Sequence, residues 1–192
     1  MLRSTTAADG VRVLLLAVGL MFGTGSPAWA ATSNPFQEFF DLFRQQAIPR
    51  QQVAFPAKHA PGTVVVSTSR RRLYYVLGTG QAIEYGVGVG REGFTWSGTK
   101  TVSRKREWPD WRPPAQMLRR RPDLPRYMAG GIDNPLGSRA LYLGSSLYRI
   151  HGSNEPDTIG AAVSSGCIRM TNRDVQDLYD RVRVGTKVVV QR

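Results

Sequence analysis

The apolar positions change their period along the chain, and each change marks an element. Phe36, Phe39, Phe40 and Phe43 recur at i, i+3, i+4 and i+7, which is one face of a short helix. Ser33-Asn34-Pro35 supplies its start, with proline in the first turn. From Thr63 the pattern becomes that of strands. Thr63-Val64-Val65-Val66-Ser67 is β-branched, Leu73 to Leu77 follows a basic turn, and Ala82 to Val89 follows the hairpin signal Gly78-Thr79-Gly80. Three strands with no helix between them point to antiparallel β structure. Thr99 to Arg106 predicts another strand. Arg139–Leu143 and Leu147–His151 predict a hairpin around Gly144-Ser145-Ser146, and Lys187–Val190 predicts a last strand. One helix is expected after Thr171, the N-cap, with Asp174 at the capping-box position and Val175, Leu178, Tyr179 and Val182 on its apolar face. Met117 to Arg121 suggests a second, short helical turn. The expected fold class is mainly β, with one or two short helices.

The segments without a period complete the layout. Gln45 to Gly62, with Pro49, Pro56 and Pro61, reads as a linker, and His59 within it as a surface residue. Residues 107–138 are aromatic, proline-rich and aperiodic, too long for a simple connection, and so expected to be a lid or binding loop. At the N-terminus, Arg3 and Arg12 flank an apolar run from Val13 to Phe22, and Ala28-Trp29-Ala30 offers small residues at a cleavage site. That run is ten residues, against the ~20 that span a bilayer. The layout is therefore a signal peptide (1–30), a leader with helix and linker (31–62) and a catalytic domain (63–192), with no stable membrane span after cleavage.

Composition narrows the chemistry. A net charge of +12 suits an acidic partner or a solvated basic surface. Arg119, Arg120 and Arg121 fit either reading. Export disfavours nucleic acid. Gly88-Val89-Gly90-Arg91-Glu92-Gly93 matches a dinucleotide string, but Phe94-Thr95-Trp96-Ser97-Gly98 follows it instead of a helix. Those glycines are expected to let the backbone turn or a substrate approach. With one cysteine and two distant histidines, no metal site and no cofactor are expected.

The single cysteine of an exported protein forms no internal disulfide, so Cys167 needs a reason to be there. It could be a buried apolar residue or a nucleophile. In the second case a thiol of ordinary pKa about 8.5 needs a base to form the attacking thiolate. His151 lies sixteen positions upstream, at the end of an expected strand. N–H groups of Gly166 and Cys167 could hold an oxyanion, worth roughly 3 kcal/mol per donor. Arg169 suits a substrate carboxylate, or an ion pair with Asp174 or Asp177.

His151-Gly152 followed by Ser164-Ser165-Gly166-Cys167-Ile168-Arg169-Met170 resembles the H-G … S-x-G-C-x-R-[ML] signature of the L,D-transpeptidase catalytic domain, the YkuD-like family. The resemblance covers roughly Thr63 to Val190 and implies a β-rich, sandwich-like fold with the cysteine at the end of a cleft. It implies that Cys167 attacks the bond between diaminopimelate and D-alanine in a peptidoglycan stem peptide. His151 would return the proton to the leaving D-alanine, and an amine would resolve the thioester as a 3-3 cross-link. It also implies that the Gly152 carbonyl orients His151, and that Ser164, which matches the family serine, and Asn154, at a polar position, bind substrate. Ser165 departs from the His, Lys or Arg of many relatives. The location implied is the periplasm or cell wall. Other acceptors stay open: water, giving an L,D-carboxypeptidase or cross-link hydrolase, or the amine of an envelope protein. A non-catalytic wall-binding protein is the alternative of a different class.

Overall fold

A computed structural model of the chain describes residues 48–192. The expected signal peptide and the Phe36–Phe43 helix lie outside the described residues. In chain order the elements are β1 (Gln51–Ala54), β2 (Val64–Ser67), β3 (Arg72–Gly78), β4 (Gln81–Gly86), β5 (Val89–Gly90), β6 (Gly98–Glu107), α1 (Ala115–Arg120), β7 (Arg139–Leu143), β8 (Arg149–His151), β9 (Ala162–Ser164), β10 (Ile168–Arg169), α2 (Asn172–Arg181) and β11 (Lys187–Gln191). Nine strands form one sheet in the order β1-β4-β3-β2-β11-β6-β7-β8-β10, and β5 and β9 form a small parallel pair. The mainly β class expected from the patterning is the class observed.

The consecutive valines of β2 explain the layering. All three are fully buried, so the strand is covered on both faces. Val64 and Val66 face the larger core, with Leu73, Tyr85, Leu141, Ile150 and the α2 residues Val175 and Leu178. Val65 faces the other way, into a smaller cluster with Tyr74, Val76 and Ala82, against which Val53 and Phe55 pack. This corrects the linker expected over residues 45–62. Gln51–Ala54 pairs with β4 in register from Gln51↔Glu84 to Ala54↔Gln81. Its proline-rich neighbourhood hides a strand that exists because the outer face of β3 and β4 needs cover.

Strand β6 joins the two halves of the sheet. Gly98–Thr101 pairs with β11, whereas Val102–Glu107 pairs with β7, with a register shift between Val102 and Arg104. Helix α2 is fixed at both ends. Thr171 Oγ1 accepts from the Asp174 N–H at 3.1 Å, as its N-cap position predicts. Lys105 Nζ donates to the carbonyls of Tyr179 and Val182 at 2.5 and 2.6 Å, satisfying C-terminal acceptors. The single strand expected over Ala82–Val89 divides after Gly86. Gly88 then exchanges backbone hydrogen bonds with Arg169 at 2.8 and 2.9 Å, and β5 pairs with β9. That change of partner brackets the cysteine between two supporting strands.

Candidate active site

Strand β10 runs parallel to β8, pairing Ile168 with Ile150 and Arg169 with His151. Continuing that register by one residue sets Cys167 opposite Arg149. Ile150 and Ile168 are almost wholly buried beneath this edge, so a rigid floor aims the two functional side chains. The turn before Cys167 is tied by one hydroxyl. Ser164 Oγ donates to the Cys167 carbonyl at 2.6 Å and accepts from the Gly166 N–H at 3.1 Å. Gly166 has φ of 106°, a left-handed value that costs other residues strain. A Cβ there would also stand 2.6 Å from Tyr148 Cε1. Tyr148 stacks on Trp96 at 4.6 Å between ring centroids, and Trp96 Nε1 donates to the Gly166 carbonyl at 2.8 Å. The turn thus rests on an aromatic pair.

The glycines of the dinucleotide-like string serve this turn. A Cβ on Gly90 would overlap the Phe94 carbonyl and crowd Gly166 Cα at 3.3 Å, and one on Gly88 would press on Arg169 Cβ at 3.3 Å. Strand β6, not a helix, follows them. They are close-approach positions, as expected, and belong to the thiol's support.

Cys167 and His151 face one cleft of about 580 Å³. His151 Nδ1 lies 2.6 Å from the Gly152 carbonyl oxygen. A carbonyl only accepts, so Nδ1 carries the proton and Nε2 presents its lone pair. Burial pushes the His151 pKa down to about 3, the Gly152 carbonyl opposes this, and Arg169 and Arg149 add to it. Burial also pushes the Cys167 thiol up, against the pull of Arg149 and Arg169. Both shifts favour a neutral pair at rest, because burial penalises the charged form of each group. The thiol donates to the Leu147 carbonyl at 3.7 Å.

The remaining expected residues divide. The Gly152 carbonyl lies against His151 Nδ1, and a Cβ on Gly152 would collide with Asn172 Oδ1 and stand 3.1 Å from the Ser138 nitrogen. Arg169 reaches the cleft, where its guanidinium holds Glu155 at 2.8 Å and not Asp174 or Asp177. Three expectations need correction. Gly166 N–H already donates to Ser164 and is not free for an oxyanion; Cys167 N–H has no backbone partner among the described residues. Ser164 lines the cleft but is buried, and its hydroxyl donates and accepts inside the turn, so its first role is to shape the site. Asn154 lies outside the cleft lining and donates to the Asp133 carbonyl at 3.0 Å. His59 sits elsewhere, 6.3 Å from the Phe55 ring.

Residues 107–138 form one wall of the cleft through Trp111, Met117, Arg120, Arg121, Leu124 and Leu136. Arg120 is oriented by the Phe94 ring, 5.0 Å from its guanidinium carbon. Sequence reading missed Arg149, Glu155, Trp96 and Tyr148. Tyr148 and Arg149 carried a signal, their place in the strand that ends at His151, with Arg149 two residues before the histidine and so on its face. Among the described residues, no group of three or more His, Cys, Asp or Glu is placed to hold a metal.

A thiol and a carbonyl-oriented imidazole sharing a cleft at the edge of a β fold are the arrangement of a cysteine acyl-transfer domain. The family model for the L,D-transpeptidase catalytic domain matches residues 61–190, and the chain belongs to that family. It is 39% identical over 146 residues to the probable L,D-transpeptidase YbiS of Escherichia coli K12, covering 72% of this chain and 47% of that one. To the probable L,D-transpeptidase ErfK/SrfK of the same organism it is 39% identical over 155 residues, covering 76% and 48%. The chain thus spans about half the length of the curated relatives it matches. A solved Brucella melitensis structure, named a probable carnitine operon oxidoreductase, is 45% identical with a TM-score of 0.51, covering 75% of this chain and 94% of that one. An L,D-transpeptidase from Mycobacterium smegmatis shares the fold at 20% identity and a TM-score of 0.56, covering 69% and 59%.

Proposed function

We propose that the protein is an exported L,D-transpeptidase acting on peptidoglycan stem peptides through a thioester on Cys167. The observation that carries this reading is the His151–Gly152 hydrogen bond, which leaves Nε2 as the acceptor facing the thiol's cleft. The Cys167 proton passes to His151 Nε2 as sulfur attacks the carbonyl carbon of the diaminopimelate residue. The tetrahedral intermediate collapses, and the departing D-alanine amine takes the proton from Nε2. A second amine then attacks the thioester, gives its proton to Nε2, and the thiolate leaves and recovers that proton. Cys167 N–H is the backbone donor left for the oxyanion.

A neutral resting pair suits this sequence. The thiol stays protected until a substrate excludes water and proton transfer is coupled to attack. Arg169 is the cation for a substrate carboxylate, and Glu155 holds its place until one arrives. No described helix is long and apolar enough to cross a membrane. The periplasmic placement rests on the N-terminal segment outside the described residues.

The cleft is open to water, so the acyl acceptor decides between transferase and L,D-carboxypeptidase. Incubation with a disaccharide tetrapeptide, followed by product separation and mass spectrometry, tests the reading. D-alanine release with 3-3 dimers supports transpeptidation. Release with only tripeptide product reassigns the acceptor to water, and release on an amine of an envelope protein reassigns it to protein attachment. No release from wild type, or equal release from Cys167→Ala, overturns the reading.

A further inference from the structure

We infer that Arg149 stabilises the Cys167 thiolate through its unpartnered Nε–H, a role that rests on Cys167 being the nucleophile. Four residues lie in a row across adjacent strands. Arg104 pairs with Tyr142, Tyr142 pairs with Arg149, and the parallel register sets Cys167 beside Arg149. The guanidinium carbons of Arg104 and Arg149 lie 4.0 and 5.1 Å from the centre of the Tyr142 ring. Arg149 is therefore anchored on its inner side by the ring. Its terminal nitrogen donates to the Leu147 carbonyl at 3.3 Å, the same oxygen that accepts from the thiol.

That arrangement leaves Arg149 Nε buried with no hydrogen-bond partner among the described residues. A buried donor without a partner is costly and calls for an explanation. The explanation here is a group that exists only during reaction. When the thiol proton moves to His151, sulfur becomes an anion and loses its bond to Leu147. The Nε–H and guanidinium charge of the residue in register with Cys167 then meet that anion, an interaction much stronger in the reacting state than at rest. Arg149 already draws the thiol pKa down by its charge and its hydrogen-bonding reach. Ser165, in the turn itself, brings no charge, so the strand opposite supplies it.

The charged and titratable groups around the thiol are Tyr148 before β8, Arg149 and His151 on β8, Arg169 on β10, Glu155 after β8, and Arg120 and Arg121 from the lid. Only Arg149 is in register with Cys167 and carries a buried free N–H.

The chain has one cysteine, so alkylation by iodoacetamide reports Cys167 alone. Its rate is followed against pH for wild type, Arg149→Met, Arg149→Lys and Arg104→Gln. Arg149→Met keeps the stem on Tyr142 and removes charge and N–H. We expect its midpoint to rise by about one pH unit, so that alkylation below the midpoint falls about tenfold. Arg149→Lys restores part of the shift, and Arg104→Gln leaves the midpoint unchanged. In acyl transfer, Arg149→Met lowers kcat with little change in KM. A midpoint in Arg149→Met equal to wild type overturns the inference. Should that variant fail to fold, Arg149→Lys decides, because it lacks Nε–H: an unchanged midpoint overturns the inference. Failure of the proposed function would look different, as wild-type protein releasing no D-alanine whatever its alkylation profile.

Discussion

The edge that carries Cys167 and the wall that covers it are built in opposite ways. His151 ends β8 and Cys167 immediately precedes its parallel partner β10, above Ile150, Ile168 and Met170, all essentially buried. The wall, residues 107–138, has a six-residue helix with no buried side chain. It is held by the Trp111–Met128 bridge, by Trp108 N–H to the Ser138 carbonyl at 2.8 Å, and by buried Asn134, which donates to the Met128 and Ala129 carbonyls at 3.2 and 2.9 Å. Chemistry needs positions fixed to fractions of an ångström, and packed strands provide that. Access needs a segment that can open at low cost, and sparse backbone ties provide that. Perturbations of the edge should therefore change kcat, and perturbations of the wall should change KM.

The largest expected effect is that of Cys167→Ala, which should abolish D-alanine release while leaving the melting temperature close to wild type. Next comes His151→Gln, expected to lower kcat by roughly 10²–10⁴-fold through loss of the proton carrier. The same variant sharpens the electrostatic side. The folded ring stays neutral down to about 3 while the unfolded chain protonates near 6.5. Between those values the unfolded state binds more protons, so stability should fall as pH drops through the window. Urea melts across it should show a shallower slope in His151→Gln. The raised thiol gives a companion expectation: with His151 already neutral and the thiol still protonated, the wild-type kcat/KM for acylation should stay flat through the neutral range.

Gly166→Ala is the structural counterpart at the edge. Its left-handed backbone and the Tyr148 ring should cost about 1–3 kcal/mol of stability, read as a lowered melting temperature, with a fall in kcat. In the wall, Asn134→Ala should leave carbonyl acceptors unpaired at a local cost of about 1–3 kcal/mol and raise KM several-fold with kcat little changed. A large kcat effect from Asn134→Ala would break the division between edge and wall. The smallest effect is expected from Glu155→Gln. The Glu155 side chain is 56% exposed and its pairing with Arg169 worth about 0–1 kcal/mol, so freeing Arg169 should lower KM by no more than about fivefold.

What sequence made legible was what short-range rules determine. The β-branched run of β2, the turn at Thr79-Gly80 with both φ positive, and the Thr171 cap are local, and each stands where the pattern placed it. So do the cysteine and histidine, because their chemistry is rare enough to be noticed singly. What was not legible depends on partners distant in the chain. β1 exists because Tyr74, Val76 and Ala82 need a cover for their outer face. The shared strand β6 exists because two different neighbours divide it. Ser164, a match to a substrate-contact position by motif, is used up inside its own turn. Arg149 looked like one strand arginine among many until the register of β8 and β10 put it beside sulfur.

The central claim is that Cys167 carries the acyl group. Its most direct test is intact-mass spectrometry of the protein mixed briefly with a disaccharide tetrapeptide. We expect an adduct equal to the donor less D-alanine, located on Cys167 after proteolysis and absent from Cys167→Ala. D-alanine release with no adduct on Cys167, or with the same adduct in Cys167→Ala, would contradict it.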